Sequence, residues 1–151
     1  MKKIFLIASA FIVGFTASAQ QKADDFVKLK AEKFDFGKIK QNEPVTTYFE
    51  MTNTSNKPIV ITVTPSCGCT TPEYTKEPIA PNATTTIKVG YNAATLGSFT
   101  KPITVQLAGV TETKTITITG EVLAPAAYDT FVKQGGTQKA KPAAAKTTKS
   151  S

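Results

Sequence analysis

Thr113-Lys114-Thr115-Ile116-Thr117-Ile118-Thr119-Gly120-Glu121-Val122-Leu123 alternates branched apolar residues with hydroxyl-bearing or charged ones. A strand sends successive side chains to opposite faces, so Ile116, Ile118 and Val122 point one way and Thr115, Thr117, Thr119 and Glu121 the other. The same period of two recurs upstream. Val45, Phe49 and Met51, with Thr47 among them, oppose Thr46, Tyr48, Glu50 and Thr52. Ile59, Ile61 and Val63 oppose Val60, Thr62 and Thr64, and Ile87, Val89 and Tyr91 oppose Thr86, Lys88 and Gly90. Ile103, Val105 and Leu107 share a further face, followed by a hairpin at Ala108 to Glu112. Turn-forming stretches such as Asn53-Thr-Ser-Asn-Lys-Pro58 and Pro81-Asn82 separate these runs.

Each strand buries one face only, and one sheet alone would leave that face wet. Two sheets packed face to face solve the problem within about 100 residues. The expectation is an all-β, immunoglobulin-like sandwich of about seven strands over residues 34–123, with 20–33 as a lead-in. No antibody-type Cys…Trp…Cys spacing occurs, so aliphatic and phenylalanine burial must hold the core. Ala126 to Lys133 reads equally as a helical turn or a last piece of strand. Residues 124–151 form a low-complexity tail rich in Lys, Ala and Thr, too poor in large apolar groups beyond Gln134 to offset ordering entropy.

Composition removes several function classes. The chain of 151 residues has 18 lysines, no arginine, no histidine and no tryptophan, and threonine is its commonest residue at 25. Without histidine there is no Ser-His-Asp or Cys-His pair, no imidazole metal ligand and no imidazole pH switch. Without arginine there is no bidentate fork for phosphate or guanine. The formal charge of +7 is confined to the ends. Residues 20–132 hold 11 lysines against 11 acids, whereas Lys133, Lys139, Lys141, Lys146 and Lys149 lie in the last nineteen residues without an acid. The body therefore has no basic face for nucleic acid. The tail reads as a solvated terminus or as a weak tether to an anionic envelope surface.

The first 19 residues have the form of a secretory signal peptide. Met1-Lys2-Lys3 precedes a 12-residue apolar run, Ile4 to Phe15, and Ala17-Ser18-Ala19 is a small-x-small cleavage site, so the mature chain is expected to begin at Gln20 after Ala19. Twelve helical residues rise about 18 Å, short of the roughly 30 Å hydrocarbon core. No later run is apolar enough to span a bilayer, and no cysteine follows the cut for lipid attachment. The expectation is an exported protein, periplasmic or extracellular and soluble.

Ser66-Cys67-Gly68-Cys69-Thr70 follows the third predicted strand and holds the only cysteines. In an oxidising compartment an even number of cysteines normally pairs. Residues i and i+2 lie roughly 5.5 to 7 Å apart at Cα, overlapping the range of a disulfide. Closing so short a loop contributes only about 1.5 kcal/mol, a poor reason for the bond to exist. Three readings stay open: a pair that shapes or fills the end of the sandwich, as a local disulfide or as small buried thiols, a redox-active pair, or thiolate ligands for a soft metal such as Cu(I) with Met51. Phe34-Asp35-Phe36-Gly37 lacks any kinase-like context and reads as core residues before a turn. Glu73, Glu77, Asp24 and Asp25 fall in predicted loops, where acids are usually solvated, and a 100-residue sandwich leaves little room for a substrate cleft. No catalytic, cofactor-binding or metal-binding residue is assigned, and no enzyme activity is expected.

Phe34-Asp35-Phe36-Gly37-Lys38-Ile39, Phe49 through Asn53, Ser66-Cys67-Gly68-Cys69-Thr70, Ile79-Ala80-Pro81, Gly97-Ser98-Phe99 and Gly120-Glu121-Val122 together resemble a bacterial exported family, domain of unknown function 1573. The resemblance covers Phe34 to Val122 and implies an immunoglobulin-like sandwich related to Hydin-type scaffolding modules, with no reaction attached. Asn42 and Asn82 stand where that family commonly has glycine; asparagine tolerates positive φ, so both turns survive. The hairpin at Ala108 to Glu112 is short for the family. The expected function is a non-enzymatic structural or interaction module of the cell envelope, its partner an envelope protein or polymer. Thiol redox or copper handling through Cys67 and Cys69 is the alternative.

Overall fold

A computed structural model describes residues 22–139. The expected signal peptide, its Ala19–Gln20 junction and the lysines from Lys141 onward lie outside the described residues. After a short 3-10 turn at Ala23–Asp25 come eight strands and one helix: β1 Val27–Leu29, β2 Lys33–Lys40, β3 Val45–Asn53, β4 Ile61–Pro65, β5 Thr70–Glu73, β6 Thr84–Tyr91, β7 Gly97–Leu107, β8 Thr113–Leu123 and α1 Pro125–Lys133. One sheet has the order β1-β3-β6-β5 and the other β2-β8-β7-β4. All pairs are antiparallel except β2 with β8. The chain changes sheet at every step from β1 to β5, so both sheets are stitched together by crossings at the two ends of the sandwich.

The period-two faces become the core. Val45, Phe49 and Met51 from β3, Ile87, Val89 and Tyr91 from β6, Ile103, Val105 and Leu107 from β7, and Ile116, Ile118 and Val122 from β8 are all buried. Their threonine-rich opposite faces remain more open to water. Asn42 and Asn82 both adopt φ 61°, the left-handed conformation their side chains tolerate. Buried Ala93 adopts φ 53°, a strained position that nothing in its residue type announces.

The strand count is eight rather than about seven, for reasons visible in the differences. Residues 20–33, read as a lead-in, contribute β1, which pairs Val27 with Asn53 and Leu29 with Met51. Lys114 fastens this segment from β8, reaching both Asp24 and Glu32, the latter at 2.6 Å. The side-chain hydrogen bond from Asp24, with that from Glu32, holds the Lys114 ammonium above its ordinary pKa range. Thr70–Glu73, read as loop, forms β5 against β6. The strand expected from Ile59 begins at Ile61, because Ile59 exchanges two backbone hydrogen bonds with Ile79 at 3.0 and 2.7 Å instead. Within the expected tail, Pro125–Lys133 is helical. It has no buried residue and rests on β2 through Lys40–Asp129 at 3.3 Å and Lys38 over the Phe131 ring at 5.1 Å.

β2 carries one extra residue relative to β8, since Asp35 pairs with Thr119 and Lys38 with Glu121. The bulge turns at Gly37, φ 68°, and lets Phe36 and Ile39, three apart in sequence, both reach the core. Asp35 closes this turn by accepting the Gly37 N–H at 3.1 Å and the Thr119 hydroxyl at 3.3 Å. The Gly37 N–H is the main cause of an Asp35 carboxyl pKa below its ordinary value, with Lys139 and Thr119 adding to it. A lowered folded pKa means stability that is present above the unfolded value and lost as pH falls through the folded one. The urea midpoint of the native chain should therefore exceed that of Asp35→Asn at neutral pH and converge with it well below about pH 4. A gap that stays constant into acid would remove the charged contribution.

Candidate functional site

The Cys-Gly-Cys turn is the crossing from β4 in one sheet to β5 in the other. β4 ends at Pro65, paired with Ile103, and the Ser66 N–H donates to the Pro102 carbonyl at 3.2 Å. The chain then folds back, with the Thr70 N–H donating to the Cys67 carbonyl at 3.3 Å. Thr70 opens β5 opposite Tyr91, and the Asn92 N–H donates to the Cys69 carbonyl at 3.1 Å. This turn draws the Cα atoms of Cys67 and Cys69 to 5.3 Å, just below the spacing expected for residues two apart, and their sulfurs are bonded. A Cβ at Gly68 would meet no atom beyond its chain neighbours, and its φ lies outside the left-handed region. The solvent side of the ring is open.

The protein side of the ring is not. Thr70 is 2% exposed, and its hydroxyl oxygen lies 3.7 Å from Cys67 Sγ and 3.9 Å from Cys69 Sγ. A disulfide sulfur carries no hydrogen, so the hydroxyl is the donor. Beyond it Tyr91 and Phe99 stack with centroids 4.1 Å apart, both buried, and burial raises the pKa of the Tyr91 phenol. Cys69 packs against this core, and both cysteines are half-buried. The arrangement is a two-sulfur ring with one face to solvent and a single buried hydroxyl behind it. Chemically it can undergo thiol–disulfide exchange or present a rigid turn.

The other candidates are dispersed. Met51 lies near the far end of β3, six residues from Val45, which pairs with Tyr91 beside the turn. At the rise of a strand that is about 20 Å from the cysteines, too far for a shared copper. Glu73 is engaged by Lys88 at 3.0 Å and Asp24 by Lys114, while Asp25 accepts the Lys22 backbone N–H at 3.4 Å. No group of three or more metal-ligating side chains occurs among the described residues. Likewise no described helix is long and apolar enough to cross a membrane. The opposite end of the sandwich carries a cleft of about 530 Å³ lined by Phe26, Ser55, Lys57, Pro58 and Gly109. Thr70 and Tyr91 complete the surroundings of the ring, a placement that sequence reading did not give. Thr70 adjoins the cysteine motif, but its burial follows from the register of a four-residue strand.

Similarity to known structures is at the level of fold. The PapD-like domain 7 of human CEP192 is 9% identical with a TM-score of 0.59, covering 74% of this chain and 96% of that one. A protein of unknown function from Porphyromonas gingivalis is 17% identical with a TM-score of 0.54, covering 70% of this chain and 50% of that one. A family 123 glycoside hydrolase from Clostridium perfringens is 11% identical with a TM-score of 0.56, covering 68% of this chain and 26% of that one. These place the chain among immunoglobulin-like and PapD-like sandwiches, a likeness of fold alone. Among curated protein sequences none matches. The model of a family described as a protein of unknown function, DUF1573, matches residues 27–122, from the first strand through the last, and the chain belongs to that family.

Proposed function

We propose that this chain is an exported, non-enzymatic interaction module of the cell envelope whose contact surface is the Cys67–Thr70 end of the sandwich. The observation that carries this reading is the build of that turn. Three backbone hydrogen bonds and a disulfide hold the five residues Ser66 to Thr70 and leave Gly68 in open solvent. A three-residue ring contributes only about 1.5 kcal/mol to stability, so its main effect is on the shape of the turn. A turn already fixed in shape loses little entropy on binding a partner. Export is supported by the amino-terminal pattern and by a disulfide, which persists in oxidising compartments.

The test is site-specific crosslinking in the native host. A photoreactive residue at Gly68 should give one discrete product, and the same residue at Gly109, at the other end of the sandwich, should not. Intact mass of the recovered chain should start at Gln20. Equal labelling from both positions, or no product from Gly68, overturns the contact surface; an uncleaved cytosolic chain overturns export. Joint Cys67→Ser and Cys69→Ser substitution should lower the yield without abolishing it, because the backbone hydrogen bonds of the turn remain.

A further inference from the structure

We infer that the Cys67–Cys69 ring is a thiol–disulfide exchange site with assigned roles: Cys67 is the sulfur attacked from solvent, Cys69 the leaving and resolving sulfur, and Thr70 the positioning hydroxyl. The reacting partner is a dithiol. This goes beyond the interaction reading and stands without it. The geometry separates the two sulfurs. Cys69 is packed against the hydrophobic core, and its carbonyl is held by Asn92. Cys67 lies outside that packing, while Gly68, which adjoins both cysteines, leaves the ring open to solvent. The only hydrogen-bond contacts of the Thr70 hydroxyl among the described residues are the two sulfurs, at 3.7 Å from Cys67 and 3.9 Å from Cys69, so it reaches either one and it is the core packing that separates their roles. A buried hydroxyl beneath a disulfide has only weak acceptors there, and a thiolate at the same place is a far stronger one.

The step balances as follows. A thiolate of the partner attacks Cys67 Sγ, the Cys67–Cys69 bond breaks, and its electron pair leaves on Cys69 Sγ, where the Thr70 hydroxyl donates to it. The partner is now joined to Cys67 through a mixed disulfide. Its second thiol loses a proton to solvent and attacks its own first sulfur, expelling Cys67 as thiolate. The two cysteine thiolates take up two protons, so the chain gains two electrons and two protons and the partner dithiol becomes a disulfide. Run backwards, Cys69 attacks the mixed disulfide at Cys67. The short ring favours that return, because the resolving sulfur cannot diffuse away.

The probe is glutathione acting on the oxidised full chain, quenched by acid, with the adduct mapped by peptide mass. The first adduct should sit on Cys67, in about tenfold excess over Cys69. Thr70→Val keeps the shape and removes the donor, and should slow ring opening about tenfold, the worth of a hydrogen bond to a charged sulfur. Thr70→Ser should restore the native rate. In the dithiol form, the pH profile of Cys69 alkylation should move to higher pH in Thr70→Val and return in Thr70→Ser, a readout that loosened packing alone would not move. Adducts mainly on Cys69, a ring that glutathione does not open, or identical profiles in native and Thr70→Val chains would each overturn the inference. Should Thr70→Val not fold, adduct mapping on the native chain and the Thr70→Ser rate still decide it.

Discussion

Asn53→Ala should cost about 3 kcal/mol and lower the thermal midpoint by about 15 °C, the largest loss expected from any polar substitution in the described chain. Asn53 ends β3 and is 0% exposed. Its Nδ2 donates to the carbonyls of Lys57 at 2.8 Å and Ile79 at 2.9 Å. Its Oδ1 accepts the Ser55 N–H at 2.9 Å and the Ser55 hydroxyl at 2.7 Å. The backbone is equally committed, with its N–H donated to Ala83 at 2.9 Å and its carbonyl accepting from Asn82 at 2.8 Å. Alanine removes all four side-chain bonds, the one to Ile79 buried and the other three part-buried, and opens a gap at a fully buried position where β3 turns toward β4. Asn53→Asp separates shape from hydrogen bonding. It keeps the acceptor toward Ser55 but faces a carboxylate toward two carbonyl oxygens, and should destabilise at least as much as alanine at neutral pH. Urea unfolding of both variants checks this; an Asn53→Asp chain as stable as the native one would mean the Nδ2 contacts carry no weight.

Gly120→Ala should cost about 2–3 kcal/mol although it adds one methyl group. An added Cβ would lie 2.8 Å from Phe99 Cζ and 2.9 Å from the Gly37 carbonyl oxygen. Neither can withdraw. Phe99 is the cross-strand partner of Gly120, stacked on Tyr91 and 6.4 Å from the Phe36 ring. Gly37 is backbone in the β2 bulge. The bare glycine thus lets an aromatic ring lie across β8 while the bulged strand closes from the other side. Placing Gly120→Ala in a Phe99→Leu background should recover part of the cost and leave the clash with Gly37. A Gly120→Ala chain within about 0.5 kcal/mol of native, the scatter of a neutral surface change, would show that the strands have room to part.

Gly120 also shows how far a sequence can be read. Phe34-Asp35-Phe36-Gly37 and Gly120-Glu121-Val122 stand out as separate blocks in the chain; only in three dimensions does the bulge of one meet the missing side chain of the other. The cysteine turn divides in the same way. That Cys67 and Cys69 are the only two thiols follows from composition, whereas the buried Thr70 hydroxyl behind them depends on β5 pairing with β6.

What the sequence by itself determined was everything carried by neighbours along the chain. The two faces of β3, β4, β6, β7 and β8 follow from a period of two, and the neutral body from a count of charges. Tertiary structure alone decided which strands lie side by side. β1 and β5 have three and four residues, too few alternations to stand out, and β5 contains Pro72. α1 buries nothing, so it leaves no apolar stripe to read. The parallel pairing of β2 with β8 and the burial of Asn53 and Thr70 join residues far apart in the chain. Local patterning reports which face of a strand avoids water; the identity of the surface that covers it is settled by packing between segments, and that information is distributed over the whole chain.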